Sequence, residues 1–220
     1  MLIYVSDARN SATLVNEARR MGCRHMVEPK RYRPQRIPYA LDNGAFGAFI
    51  RGQPLDEDRF YAVLDRAASA DILPDFVVVP DLVAAGMQSL EYSLEHVQRI
   101  PESIPRYLAV QDGMTAEAVR VALHLFDGLF VGGSLPWKYR TAPEWVELAH
   151  SCHKPCHIGR IGTIRGYEFA YAAGADSVDG SNPVRNRRMD IIERWRRLCS
   201  EQVRIGDHRW QNLFEGLVGH

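Results

Sequence analysis

The sequence has no excess charge of either sign and no long apolar run. Lys and Arg together number 27, as do Asp and Glu, so the net charge at neutral pH is zero. A nucleic-acid partner would therefore have to be held by a local basic patch. No stretch reaches the roughly 18 apolar residues that a membrane span needs, and the start, MLIYVSDARN, lacks a signal-peptide pattern. These absences predict a soluble cytoplasmic protein with no membrane partner.

Cysteine is also scarce. The four cysteines, at positions 23, 152, 156 and 199, fit a reduced intracellular protein better than a disulfide scaffold. Two of them lie in the run CHKPCH at 152–157, which has neither the CxxC spacing of a zinc ribbon nor the CxxCH of haem attachment. Because no second cluster completes a set of four ligands, we predict no metal site and no cofactor. The run is interpreted as a helix end that leads into a strand.

What the sequence does contain is a regular alternation of short apolar runs with segments of helical period. The predicted strands are 2–5, 23–27, 37–41, 76–80, 106–110, 128–131, 155–158 and 177–178. The predicted helices are 11–21, 56–70, 85–99, 115–125, 142–151, 164–173 and 188–201. This order predicts an α/β fold, a (β/α)₈ TIM-type barrel in one domain over 1–220, with 202–220, including Trp210 and Phe214, as a closing segment. A doubly wound open sheet is the alternative, although SDARN stands where its glycine-rich fingerprint would be.

Polar residues and glycines follow the predicted strands, at the ends where barrel enzymes carry their chemistry. Three acids directly follow apolar runs, in YALD, VVVPD and SVD. Such acids can be ordinary helix caps, but paired carboxylates facing one pocket are typical of glycosidic chemistry. The strand-end residues are Asp7, Asp42, Asn43, Asp81, Gln111, Asp112, Gly132, Gly133, Gly159, Arg160 and Asp179.

Two basic clusters flank the candidate acids along the chain. Lys30, Arg31, Arg33 and Arg36 precede the strand that ends at Asp42, and Arg185, Arg187 and Arg188 follow Asp179. The alternatives are a solvated charged surface and a strip that contacts phosphates of a nucleic-acid backbone.

Six motifs, in order over residues 37–188, carry a resemblance to a known family. They are DNGAF at 42–46, VVPDL around Asp81, QDG at 111–113, VGGS at 131–134, GRIGT at 159–163 and GADSVDGSNPVR at 174–185. Their order and spacing resemble those of the tRNA-guanine (queuine) transglycosylases. The similarity is closest to the DNA-directed relatives that place 7-deazaguanines in DNA.

The resemblance implies a (β/α)₈ barrel that takes up a base flipped out of DNA. It implies that Asp179 is the nucleophile and Asp42 a second catalytic acid, whereas Asp81 recognises the base with Asn43, Gln111, Gly132 and Gly133. The basic clusters, with Arg160, would then hold the nucleic-acid backbone. A free 7-deazaguanine base is the implied second substrate.

The chain also departs from the family pattern. Only Cys199 lies where the family's tRNA enzymes carry three cysteines and a histidine for zinc, and Asn43, Gly180 and residues 135–138 differ from the family motifs. A compact DNA enzyme without zinc is therefore expected, and the identity of its base stays open.

Several functions remain open at the level of the sequence. After covalent attack on the sugar, a free base would complete an exchange. Water would instead leave an abasic site, which is the reaction of a DNA glycosylase such as one that defends a cell against phages with modified DNA. A barrel that only binds nucleic acid would use the acids as caps. A hydrolase or aldolase for a small phosphorylated metabolite is the fourth hypothesis, although no predicted strand ends in the lysine of an aldolase.

Overall fold

The protein folds into a closed barrel of eight parallel strands, and the computed structural model describes residues 1–6 and 12–205. The strands pair in sequence order, and β8 pairs with β1 to close the barrel. The predicted (β/α)₈ fold is confirmed. Asp7 and most of the predicted closing segment, with Trp210 and Phe214, lie outside the described residues. The strands are β1 Leu2–Ser6, β2 Arg24–Val27, β3 Tyr39–Leu41, β4 Val77–Val78, β5 Arg106–Val110, β6 Gly128–Val131, β7 Cys156–Ile158 and β8 Ser177–Gly180.

Helices follow the strands, and most of them agree with the predicted segments. In the described part of the chain, no helix is long and apolar enough to cross a membrane. The helices are α1 Ala12–Arg20, α2 Ala45–Ile50, α3 Glu57–Ala68, α4 Met87–Val97, α5 Ala116–Ala122, α6 Leu135–Ser151, α7 Ile164–Ala172, α8 Asn182–Arg185 and α9 Asp190–Ile205, with short 3₁₀ turns at Pro29–Arg31 and Leu123–Leu125.

Helix α6 begins seven residues earlier than the sequence predicted, at Leu135 instead of position 142. The cap is Ser134, whose side chain accepts a hydrogen bond from the Trp137 N–H, and Pro136 suits the first turn. Residues 141–144, TAPE, resemble a helix start, but Thr141 lies inside α6, where its hydroxyl donates to the Trp137 carbonyl. Pro143 lies inside the helix and does not end it.

Helix α2 was not predicted at all. It has six residues, AFGAFI, which is too short for a helical period to be recognised. Asn43 supports its start by accepting the Ala45 N–H, and Gly44 precedes it with a positive φ of 84° that favours glycine. This helix matters for the site because it brings Phe46 and Phe49 to the barrel mouth.

The barrel has one apolar layer outside its strands and another inside them. In β1, Ile3 and Val5 pack outward in the larger core, whereas Tyr4 points into the barrel, as period two requires. Both sides of the strands are therefore buried, which explains why several of them, such as β6 with GLFV, are apolar without alternation. The residues packed inside are Tyr4, Met26, Ala40, Phe76, Val78, Tyr107 and Ala109, with Phe130 against them.

Aromatic rings close the barrel interior beneath the strand ends. Phe76 and Tyr107 stack with ring centroids 4.1 Å apart and planes 8° from parallel, and Tyr4 meets Phe76 edge-on at 5.5 Å. Phe130 and Ala109 lie higher and line the cavity described below. The rings thus form a packed floor under the mouth of the barrel.

Removing an aromatic ring from this floor should lower the free energy of unfolding. Phe76 is 2% exposed, and we expect Phe76→Ala to lower the free energy of unfolding by about 3–5 kcal/mol because it leaves a cavity. Phe49, which is 50% exposed, is the matched control, and Phe49→Ala should cost about 0.5 kcal/mol or less. Urea unfolding followed by circular dichroism measures both. Equal losses in the two variants would contradict the packed floor.

Candidate active site

A cavity of about 850 Å³ opens at the carboxyl ends of the strands, within the range of small-molecule sites. The barrel topology brings to it residues that lie far apart in the chain. Of the residues predicted from strand ends, it is lined by Asp42, Asn43, Asp81, Gln111, Asp112, Gly132, Gly133, Arg160 and Asp179.

Asp179 is a buried carboxylate, 7% exposed, that lies in β8 facing this cavity. Its Oδ1 accepts hydrogen bonds from His157 Nε2 at 3.2 Å and from the Arg160 backbone N–H at 3.0 Å, and its Oδ2 accepts one from Ser6 Oγ at 2.9 Å. Burial by itself would raise the pKa of this carboxyl, but the His157 and backbone hydrogen bonds lower it below its usual value. Asp179 is therefore ionised at neutral pH, and Oδ2 is its less encumbered oxygen.

His157 orients Asp179 from the barrel interior and was missed as a site residue. It is fully buried, its ring stacks on Phe130 with centroids 4.8 Å apart, and its Nδ1 lies 2.8 Å from Ser177 Oγ. Burial lowers the pKa of this imidazole, so we assign it as neutral, with Nε2 donating to Asp179 and Nδ1 accepting from Ser177. The order of a Ser-His-Asp triad is inverted here, since the acid faces the cavity and the serine is buried.

The signal for His157 was present in the run CHKPCH. The predicted passage from helix to strand is confirmed, because α6 ends at Ser151 and β7 begins at Cys156. Cys156 and Ile158 pack in the outer core, so His157 between them must point into the barrel. Within the described residues, no group of three or more His, Cys, Asp or Glu side chains could hold a metal ion.

Asp42 differs sharply from Asp179 in its affinity for a proton. It is half-buried after β3, and its Oδ1 accepts the Gly44 N–H at 2.8 Å. Burial, together with the nearby carboxylates of Glu28, Asp179 and Asp81, raises the pKa of Asp42 to about 7, although the Gly44 N–H favours the ionised form. The cavity therefore holds one ionised carboxylate and one carboxyl that keeps its proton up to neutral pH.

Asp81 is buried and is held by two side-chain amides. Asn43 Nδ2 donates to Asp81 Oδ1 at 2.7 Å and to the Val79 carbonyl at 2.8 Å, and Gln111 Nε2 donates to Asp81 Oδ2 at 3.1 Å. Burial raises the pKa of Asp81 to about 6, although the hydrogen bonds from these two amides favour the ionised form and lower it. The two amides thus serve to position Asp81, which presents its carboxylate to the cavity.

The side-chain amides of Asn43 and Gln111 also form hydrogen bonds to other groups of the protein. Gln111 Nε2 also reaches the Leu82 carbonyl at 3.0 Å and Ser89 Oγ at 2.7 Å, while its Oε1 accepts the Ala84 N–H. Asn43 likewise uses its oxygen on Ala45. Asn43 and Gln111 both line the cavity, and their hydrogen bonds within the protein hold Asp81 in place. Their direct contact with a base stays a prediction.

The glycine pair after β6 forms part of the wall. Gly132 donates its N–H to the Val110 carbonyl at 2.8 Å, so this amide belongs to the barrel ladder and not to a ligand, contrary to expectation. Gly133 has φ +68°, and a Cβ there would come within 2.6 Å of Asp112 Oδ2 and of the Trp137 ring. Asp112 is held in turn by the Ser134 N–H and hydroxyl, both at 2.7 Å. Glycine at 133 is therefore required by packing.

Only part of the predicted basic strip reaches the cavity. Arg31, Arg160 and Arg185 line it, and the Arg160 guanidinium lies over the Phe46 ring, 3.9 Å from its centroid, and donates to the Gly133 carbonyl. Lys30 lines a small adjacent pocket of about 110 Å³.

The other basic residues lie away from the cavity lining, and their contact with a nucleic-acid backbone stays a prediction. Arg188 pairs with Asp190 at 2.9 and 3.0 Å. Arg33, Arg36 and Arg187 are exposed outside the lining. Helix α8 ends at Arg185, and Arg187 and Arg188 follow it in the chain.

A scan of protein-family models returned no match for this chain, and a search of curated proteins also returned none.

The raised pKa of Asp42 makes a prediction about stability. The folded protein keeps this proton up to about pH 7, whereas the unfolded chain loses it near pH 4, so stability must fall as the pH rises between these values. Asp42→Asn cannot ionise and keeps an oxygen for the Gly44 N–H. We expect it to be more stable than the wild type by about 2 kcal/mol or more at pH 8, with the difference vanishing near pH 4.

Urea unfolding at the two pH values tests this prediction. The control is Asp65→Asn, which changes an exposed carboxylate on α3 and should alter stability by about 0.5 kcal/mol or less at either pH. A difference between Asp42→Asn and wild type that stays constant with pH would contradict the assignment.

Proposed function

We propose that this protein cleaves the N-glycosidic bond between a base and deoxyribose in DNA and exchanges the base for a 7-deazaguanine. Asp179 is the nucleophile and Asp42 the proton donor. The observation that carries the proposal is the presence of these two acids in one cavity, one with a lowered pKa and one with a pKa raised to about 7. Two carboxyl groups with separated proton affinities are the requirement for glycosidic chemistry through a covalent intermediate.

The first half of the reaction uses both acids. Asp179 Oδ2, which accepts only the Ser6 hydroxyl among the hydrogen bonds described, attacks C1′ of the sugar and forms an ester bond. The C1′–N bond breaks, its electron pair moves to the base, and Asp42 delivers its proton to the departing base. The product is a glycosyl-enzyme intermediate, a neutral free base and an ionised Asp42.

The second half reverses the roles. A free 7-deazaguanine enters the cavity, its ring nitrogen attacks C1′, and the ester bond to Asp179 breaks with its electron pair returning to the carboxylate. Asp42, now ionised, takes the proton that the incoming base loses. The two acids return to their starting states, so the cycle balances without a cofactor.

The remaining lining suits a flipped nucleotide. Asp81 supports the recognition of a base because its carboxylate accepts hydrogen bonds from ring N–H and amino groups, and it is held rigidly by Asn43 and Gln111. Arg31 and Arg185 lie at the mouth, where they can contact phosphates. The Phe46 ring also lies at the mouth, with the Arg160 guanidinium packed over it. Extruding a base costs a few kcal/mol, which these contacts would offset.

The preference for exchange over hydrolysis rests on the transglycosylase-like motifs. Both reactions share the first half, and they differ in whether a base or water attacks the intermediate.

The test is mass spectrometry of free bases and nucleosides after incubation of the protein with plain and modified DNA, with and without added 7-deazaguanines. We expect incorporation of the added base by the wild type. Asp179→Asn should lower the rate by at least about 10³-fold, and Asp42→Asn by about 10²–10⁴-fold. Because Asp42 must be protonated, the wild-type rate should fall as the pH rises through about 7. Asp65→Asn serves as the control and should keep the full rate.

Each alternative has its own result in this experiment. Release of a base without any acceptor, leaving abasic sites, would assign a glycosylase. DNA binding by wild type and Asp179→Asn alike, with no base released by either, would assign a binding barrel. Turnover of a small phosphorylated compound in the absence of DNA would reject the proposal altogether.

A further inference from the structure

Lys138 is a fully buried lysine in α6 that the mechanism above does not use. It is 0% exposed and does not line the cavity. Its Nζ donates a hydrogen bond to the Gly159 carbonyl, at the turn after β7. A lysine is almost never fully buried unless its ammonium group has a defined partner, so this contact calls for an explanation.

The partner of Lys138 belongs to the same peptide unit that holds Asp179. The carbonyl of Gly159 accepts from Lys138, and the N–H at the other end of that peptide, on Arg160, donates to Asp179 Oδ1 at 3.0 Å. The peptide is planar and rigid, so fixing the direction of its carbonyl also fixes the direction of its N–H. Lys138 and Asp179 are thus linked through one peptide group.

The turn needs such support. Arg160 has a φ of +59°, which is uncommon for a residue other than glycine. The turn is also tightly packed, since a Cβ at Gly159 would lie 2.5 Å from the Phe130 ring and 3.3 Å from Asp179 Oδ1. A small rotation of this peptide would therefore withdraw the N–H from the carboxylate.

We propose that Lys138 is a positioning residue, which holds and polarises the Gly159–Arg160 peptide so that its N–H stabilises ionised Asp179. The catalytic consequence rests on the function proposed above, whereas the link between Lys138 and Asp179 does not. A cation at the carbonyl end strengthens the hydrogen bond at the N–H end because linked hydrogen bonds polarise one another.

Lys138 keeps its positive charge up to about neutral pH. Burial and the Arg160 guanidinium together lower its pKa to about 7, while Asp179 and Asp112 oppose this fall. The cation is thus stabilised by the same carboxylate that it helps to keep ionised.

The first test measures the pKa of Asp179 without any substrate, from the ¹³C shift of its carboxyl carbon as a function of pH. Lys138→Met keeps an unbranched side chain that is one atom shorter and removes both charge and donor. We expect it to raise the pKa of Asp179 by about 1 and to move the Arg160 amide resonance. The matched control is Lys154→Met, because Lys154 Nζ also donates to a backbone carbonyl, that of Phe126, away from the cavity lining.

The second test uses base release. Lys138→Met should lower kcat by about 10- to 100-fold and leave KM near the wild-type value, since Lys138 does not line the cavity. Lys154→Met should leave both parameters unchanged. A loss confined to KM would contradict a positioning role.

The outcomes separate this proposal from the proposed function. If the wild type releases no base from any DNA, the proposed function falls, and the NMR titration still decides the role of Lys138. An unchanged Asp179 pKa in Lys138→Met, or the same change in Lys154→Met, overturns the proposal.

If Lys138→Met does not fold, the test is made on the wild-type protein. The Gly159 carbonyl carbon and the Arg160 amide nitrogen should then shift together at the pH where Lys138 Nζ titrates. An Arg160 amide that does not respond at that pH overturns the proposal as well.

Discussion

The site depends on keeping a carboxylate ionised inside a barrel. A buried charge is costly unless hydrogen-bond donors surround it, and Asp179 receives its donors from β1, from β7 and from the turn after β7. β7 lies beside β8 in the sheet, whereas Ser6 on β1 reaches Asp179 only because the barrel closes between β8 and β1. In that pairing Asp179 lies opposite Tyr4, which points inward. A slip of one residue would turn Asp179 away from its donors and from the cavity.

The three strand-end aspartates show how environment separates chemically identical groups. Asp179 is surrounded by donors and its pKa falls, whereas Asp42 has a backbone donor and three acidic neighbours and its pKa rises to about 7. The pKa of Asp81 is intermediate, about 6, because two amide donors favour its ionised form and oppose the effect of burial. One carboxylate can therefore attack, another can carry a proton, and the third can bind. This division of roles arises from the number and kind of neighbours, not from burial alone.

Local patterns were sufficient for the strands but not for every helix. The strands could be predicted from short apolar runs, because both faces of barrel strands are buried. Helix α2 was not predicted because six residues are too few to show a helical period. The start of α6 was predicted seven residues too late because the sequence from Thr141 resembles a helix start. The basic clusters were adjacent to the acids in sequence, yet of their residues only Arg31 and Arg185 line the cavity. Direction of a side chain at a turn depends on backbone angles that composition does not encode.

The sequence by itself determined the order of strands, the acids at their ends and therefore the rim on which those acids meet. This is possible because parallel strands joined by helices place all their carboxyl ends on one side. Only the tertiary structure decided which groups surround each acid. Ser6 and Asp179 are 173 residues apart, and His157 and Lys138 come from two further elements, so no local spacing could connect them. Proton affinity follows from these long-range contacts, which is why the opposed states of Asp42 and Asp179 emerged only once the chain was folded.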